Sequence, residues 1–335
     1  MSGDFAYAGS GCPQAIPIFP FFGAMLTLEA LQSQIHSIED LQAVVRTMKA
    51  LAMVSLRQYE RARLSLADYQ AAVELGLQGL LYHRRFGEEG AGPLPLENPG
   101  SELGQVGVVI LGSDHGLCGP FNEQIVTYAL DHLRHQGIDP QQCRIAAVGA
   151  RLLPHLAAAQ YPVDHALSLP SSLAGMAPLL QDLWAVLETW RFPTHSPPSA
   201  APGAISRILL FYHQSLSTTM FRPFSLQLLP LEPTWLQDLE QRPWPSPGWP
   251  MVAEPWTGSL TACLRQYLLI ALHRATVESL ASENAARLSA MQAAEKNIEE
   301  RLDGLNADYR QQRQNAITGE LLDIVGGFEA LNKTP

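Results

Sequence analysis

The apolar and polar positions divide the chain into two long helical ends around an alternating middle. Residues 24–75 contain neither Gly nor Pro. A wholly helical run of that length makes a rod of roughly 75 to 80 Å. Leu28, Leu31, Ile35, Ile38, Leu41, Val45, Met48 and Leu51 recur three or four residues apart, near the 3.5-residue period of a supercoiled seam. Thr27 is placed to cap this helix, with Ala30 where a capping box has Glu, so half the box is present. At the other end, Ser259 to Asp303 again lack Gly and Pro. Leu260, Leu264, Tyr267, Ala271, Leu288, Met291, Ile298, Leu302, Leu305 and Tyr309 mark the stripe. Gly304 and Gly319 interrupt this pattern without ending it, and Gly326 with Gly327 predicts the stop. Helices this long must bury their stripes. The simplest pairing is with each other, as an antiparallel coiled coil. Ala and Met in the stripe leave a plain helix bundle as the alternative.

The middle has strand–helix alternation. Val106 to Leu111 is a continuous apolar, β-branched run, the pattern of a strand buried on both faces. A Gly-rich turn follows, then a helix from Phe121 to Leu133. Arg144 to Val148 reads as a strand, Leu152 to Ala159 as a helix and Val163 to Leu169 as a strand. Leu173 to Trp190 reads as a helix with Trp184 and Leu187 inward. Ile208 to Tyr212 and Met220 to Leu229 read as strands antiparallel to each other. The fold class is α/β, a Rossmann-like layer domain carried on a long antiparallel coiled coil. The expected division is an extension at 1–24, a first long helix at 25–90, the α/β domain at 91–255 and a second long helix at 256–335. Two Pro-rich segments, Phe192 to Gly203 and Leu231 to Pro255, read as surface loops. Four Trp (235, 244, 249 and 256) in or beside the second suit either a docking site or a self-packed cover.

Composition narrows the functions. Lys plus Arg is 22 and Asp plus Glu is 32, for a net charge of −10. A chain this acidic does not suit a phosphate backbone, so no nucleic-acid partner is expected. An apolar share of 47% excludes a disordered chain. No apolar run approaches the roughly 18 to 20 residues that cross a bilayer. Residues 1–24 carry no Lys or Arg, so neither a secretory nor a transit signal fits. They read as a terminal tail, or as a stretch ahead of a true start at Met25. Cys12, Cys118, Cys143 and Cys263 stand far apart, without metal-ligand spacing, and read as inert thiols of a reducing compartment.

The candidate for chemistry is Gly112 to Asn122, between the first strand and a helix, where backbone N–H groups can cradle an anion. Ser113, Asp114, His115 and Cys118 are nucleophile and base types. The segment matches no phosphate-loop or dinucleotide pattern, and triad members usually come from distant segments. A tight turn of glycines and capping side chains is the competing reading. A second candidate is the polar patch of Arg313, Gln314, Thr318 and Glu320 late in the C-terminal helix.

Three segments, in order, resemble one family, the gamma subunits of F-type ATP synthases. Leu280-Ala281-Ser282-Glu283-Asn284-Ala285-Ala286-Arg287 through Met291, continued by Arg313-Gln314 through Ile317-Thr318 and Glu320-Leu321, is similar to the family's C-terminal signature. Ser113-Asp114-His115-Gly116-Leu117-Cys118-Gly119 with Asn122 is similar to its SDRGLCG-x-x-N turn. The third segment runs from Ile35 through Met48 to Arg57, along the first helix.

The resemblance implies a rotor shaft whose coiled coil enters a nucleotide-binding head, with the α/β domain as its foot. It couples proton or sodium flow across a membrane to ATP synthesis or hydrolysis. It implies alpha and beta subunits, an epsilon subunit and a membrane c-ring as partners. No cofactor, metal or catalytic site of its own is expected, and the place is peripheral, on the cytoplasmic face of a bacterial inner membrane. Arg313, Gln314, Thr318 and Met48 fall on family positions that contact the head. Ser113, Asp114, Gly116, Cys118, Gly119 and Asn122 fall on a structural turn. By charge, Arg57, Arg61 and Arg63 face either acidic loops of the head or solvent. Ala43-Val44-Val45, His115 and the Trp/Pro segment 234–255 depart from the family pattern, which suggests a divergent bacterial branch such as the alternate ATPases. No closely spaced cysteine pair is present, so no thiol control is expected. A non-rotating coiled-coil adaptor, and a small-molecule enzyme using the Ser113 turn, are the alternatives.

Overall fold

A computed structural model describes residues 27–86, 105–170, 172–191, 205, 207–216, 220–248, 251 and 256–332. The expected start at Met25, Cys12, the loop 192–203 and Trp249 lie outside the described residues. The elements are α1 (Leu28–Phe86), β1 (Val106–Leu111), α2 (Phe121–His135), β2 (Cys143–Val148), α3 (Leu153–Ala158), β3 (Val163–Leu167), α4 (Met176–Arg191), β4 (Arg207–Ser215), β5 (Phe221–Leu229), α5 (Pro233–Gln241) and α6 (Trp256–Asn332). No helix among the described residues is long and apolar enough to cross a membrane.

The described residues form two compact units, one within 27–40 and 299–332, the other within 41–298. In the first, the Thr27 hydroxyl accepts a hydrogen bond from the Ala30 N–H at 3.3 Å, the half-cap expected from the sequence. Leu31 and Leu305 are buried there. Every residue from Arg313 to Phe328 is exposed. Helix α6 runs through Gly326 and Gly327, contrary to the expected stop. Neither glycine adopts the positive φ of a helix-ending turn, so each costs only about 1 kcal/mol as an exposed helical residue.

The second unit holds the sheet, in the order β3-β2-β1-β4-β5. The first four strands are parallel and β5 is antiparallel to β4. Alternate side chains of β1 supply two cores. Val108 and Ile110 pack with Ile125, Ala129, Leu133 and Leu156 of α2 and α3. Val109 and Leu111 pack with Leu183 and Leu187 of α4 and with Leu268, Leu272 and Ala275 of α6. Gly107 makes room for a neighbour, since a Cβ there would lie 2.6 Å from Trp190. As expected, Leu187 points inward, with Trp190 beside it, and the same core is flanked by Trp184. Trp184 is half-buried, donates to Glu188 at 2.6 Å and lies under Arg265.

Helices α1 and α6 pack antiparallel. Ala52, Leu56, Tyr59 and Leu66 meet Val277, Leu280, Ala281, Ala285 and Leu288, while farther along α1, Leu77 and Leu80 meet Leu260 and Leu264. Covered positions of α1 include a series alternating by three and four, namely Gln42, Val45, Lys49, Ala52, Leu56, Tyr59, Arg63, Leu66, Gln70, Val73 and Leu77, with Met48, Ser55, Glu60, Ala62 and Glu74 half-buried beside it. Leu41 and Leu51, expected in the seam, are 52% and 63% exposed. The strict heptad seats Gln42 and Ala52 in their places, because register along a supercoil outranks the size of any one side chain. Helix α5 is a further departure, in a segment expected to be a loop. Pro233 starts it at a position that suits a fixed φ, and Leu236 and Leu239 are buried.

Candidate functional site

From residue 275 to 286 α6 is buried on every side, with the sheet core against one face and α1 against another. A helix in that position needs small side chains and internally satisfied polar ones. The segment supplies the small ones and pairs most of its polar groups, Glu278 Oε2 and Ser279 Oγ being buried without a partner. Ala275, Ala281, Ala285 and Ala286 allow close approach. Thr276 donates to the Leu272 carbonyl at 2.8 Å, Ser282 to the His213 carbonyl at 3.1 Å and the Asn284 amide to the Leu280 carbonyl at 2.8 Å. The Glu283 carboxylate accepts from Arg287 at 2.6 Å.

Arg287 also points at the Gly-rich turn after β1, its Nη2 lying 3.5 and 3.4 Å from the His115 and Gly116 carbonyls. The two sequence signatures, far apart in the chain, therefore meet at one guanidinium. Within the turn, the Ser113 N–H donates to Asn122 Oδ1 at 2.9 Å, and Asn122 Nδ2 donates to Ser113 Oγ at 2.8 Å. Ser113 Oγ donates to the His115 carbonyl at 2.9 Å. Asp114 accepts from the N–H groups of Ala150 and Leu169, both at 2.8 Å, and so ties the turn to the ends of β2 and β3. Gly119 has φ 61°, and Gly149, at φ 117°, abuts the Ser113 backbone. Cys118 is buried beside Phe121 and Ala286, and burial pushes its thiol up. The side chains of Ser113, Asp114 and Asn122 are thus hydrogen-bonded to one another and to backbone.

A cavity of about 310 Å³ opens where the turn, α6 and α1 converge, lined by Met48, Tyr59, His115, Leu117, Glu283 and Arg287 among others. Met48 thus lies beside the turn residues. Burial pushes the Glu283 carboxyl up, against the pull of Arg287. Tyr59 is pushed up by burial and by Glu283. His213 was not singled out from the sequence. It is fully buried, its Nε2–H donates to the Phe121 carbonyl at 2.9 Å, and burial lowers its pKa to about 4. The one signal for it was a polar residue at the end of the apolar run Ile208 to Tyr212.

Arg313, Gln314 and Thr318 lie in the other unit, exposed on one helical stretch, with Thr318 Oγ1 donating to the Gln314 carbonyl at 2.8 Å. Arg57 and Arg61 are exposed and Arg63 is half-buried in the α1 heptad.

A family model described as ATP synthase matches residues 27–331. A protein of Sorangium cellulosum named ATP synthase gamma chain is 30% identical, over 92% of this chain and the whole of that relative. One of the same name from Nostoc punctiforme is 28% identical over the same shares. Among solved structures, a chain of the Euglena gracilis mitochondrial ATP synthase, in an assembly of OSCP, F1 and c-ring, matches with a TM-score of 0.55 and 18% identity, covering 92% of this chain and 97% of that one. A chain from the rotor of the same enzyme matches with a TM-score of 0.51 and 18% identity, over 87% and 99%.

Proposed function

The chain belongs to the gamma-chain family of ATP synthases, and from that membership we infer that it is the central rotor shaft of such an enzyme. The observation that carries the reading is the joining of a long antiparallel helix pair to an α/β domain through the buried stretch of α6. The α/β domain is the foot, turned by a membrane ring as protons or sodium ions pass. The helix pair is the axle within a head of alpha and beta subunits, and an epsilon subunit accompanies the foot. The two helices differ in sequence and in length, 59 and 77 residues. Each angle of such an axle therefore presents different contacts to otherwise equivalent catalytic sites. Contacts that differ between open and closed forms of a site are what biases the site between them.

In this reading the chain makes and breaks no bond with nucleotide. Catalysis belongs to the head, and the chain is held at the cytoplasmic face of a bacterial membrane through the complex alone. Arg313, Gln314 and Thr318, exposed along one stretch of α6, and Met48 on α1 contact the head. Arg313→Ala and Gln314→Leu in the assembled complex should slow or uncouple ATP turnover and leave the helicity of the isolated chain intact. Unchanged turnover in both variants overturns the contact assignment. ATP hydrolysis by the isolated chain, or its failure to assemble with nucleotide-binding subunits, overturns the shaft itself.

A further inference from the structure

Helix α5 has nine residues, too few to be stable alone in water. Its apolar side is seated on both long helices at once, with Leu236 and Leu239 buried among Leu77 and Leu80 of α1 and Leu260 and Leu264 of α6. Trp235 stacks on Tyr267 of α6, ring centres 4.6 Å apart. The buried Gln78 amide donates to the Arg242 carbonyl just past α5 at 2.6 Å, and Arg242 meets Glu74 at 3.3 Å. Farther along the pair the seam turns polar. Arg274 bridges Gln70 at 2.9 Å and Glu278 at 3.1 Å, and Gln266 bonds Tyr69. Beyond that interval a second apolar cluster, from Ala52 to Leu66 on α1, shares no residue with the first.

We propose that α5 is a strap that closes this end of the α1–α6 pair, and that the strapped end opens as a local unit, independently of the middle. An apolar seam interrupted by polar residues splits into separately cooperative stretches. Lifting α5 uncovers Leu77, Leu80, Leu260 and Leu264 together and leaves the Gln78 amide without its acceptor. The strap rests on contacts within one unit and not on the proposed rotor role.

Native-state hydrogen exchange on the full chain tests this. In a Leu236→Ala, Leu239→Ala double variant, amides of residues 74–82 and 258–266 should exchange at least about tenfold faster, with residues 277–288 unchanged. Equal acceleration at 277–288, or none anywhere, overturns the proposal. A staple supplies the second arm. A Cβ added at Gly76 would lie 3.4 Å from Cys263 Sγ, within reach of a disulfide after a small shift. With Gly76→Cys added to the double variant, oxidised glutathione takes two hydrogens from the thiols at 76 and 263, closes the bond and leaves as two reduced molecules. The stapled protein should regain the slow exchange of the parent and lose it again under reduction. Fast exchange with the bond shown closed by mass spectrometry overturns the proposal, because the acceleration would then not come from the parting of α1 and α6.

Discussion

Arg287 and Glu283 stand 2.6 Å apart across one turn of α6, with only 14% and 7% of their side chains exposed. The same guanidinium faces two carbonyls of the turn after β1. Removing one partner of a buried ion pair leaves the other charge without compensation, at a cost of about 3–5 kcal/mol. Arg287→Ala should lower the urea midpoint by that equivalent, and Arg287→Ala with Glu283→Gln should recover part of the loss. A single-variant loss below about 1 kcal/mol would show that the pair does not hold α6 to the turn.

Stability should also depend on pH through His213. Its pKa is lowered to about 4 by burial, against about 6.5 in an unfolded chain. The unfolded state therefore binds more protons between those values. The His213 contribution is complete above about pH 6.5, falls as pH drops toward 4 and falls no further below that. The full difference is on the order of 3 kcal/mol. Urea midpoints from pH 7.5 to 4 for parent and His213→Gln, subtracted, isolate this slope from that of the carboxylates. A flat difference would sink the assignment.

Glu295 takes hydrogen bonds from Lys49 at 2.6 Å and Arg46 at 3.2 Å, which join α6 to α1 and hold its carboxyl below the usual range. A depressed carboxylate stabilises above its unfolded pKa and loses that effect as pH falls through the folded one. Glu295→Gln should lower the melting temperature in dilute buffer and much less in about 1 M salt, where exposed charges are screened. An effect independent of salt would point to packing instead.

Gly149 sits at φ 117°, where a Cβ would lie 2.7 Å from the Ser113 nitrogen. Gly149→Ala adds backbone strain to a clash with backbone that has no free rotamer, for about 2–4 kcal/mol. Thermal melting checks the size. Gly137→Ala, also at positive φ but with open space around the added atom, should cost less.

Much of this architecture is legible in the residues themselves. The run from Val106 to Leu111 is apolar at every position because both faces of β1 are covered, and its pattern says so. The end-to-end pairing follows from two Gly- and Pro-free stretches with one stripe each. The exact seam did not follow, because a search for large apolar side chains passes over Gln42, Lys49 and Ala52, which hold heptad positions by register alone. Helix α5 was hidden by the prolines and tryptophans around it. Its stability comes from Leu77 and Leu260, which lie outside the segment, and local propensity carries no trace of them. The Ser113 turn was legible as a turn, but its meeting with Arg287 depends on how α6 crosses the sheet. His213 was missed for the same reason, since its partners Phe121 and Ser282 come from other elements.

The stretch of α6 from 275 to 286 is the layer through which the sheet meets α1. A twist applied to the sheet reaches α1 through side chains in contact on both sides of this stretch. Enlarging Ala281 would push on α1 and enlarging Ala275 would push on the sheet. Added bulk along this short length of helix therefore meets a neighbour on either side.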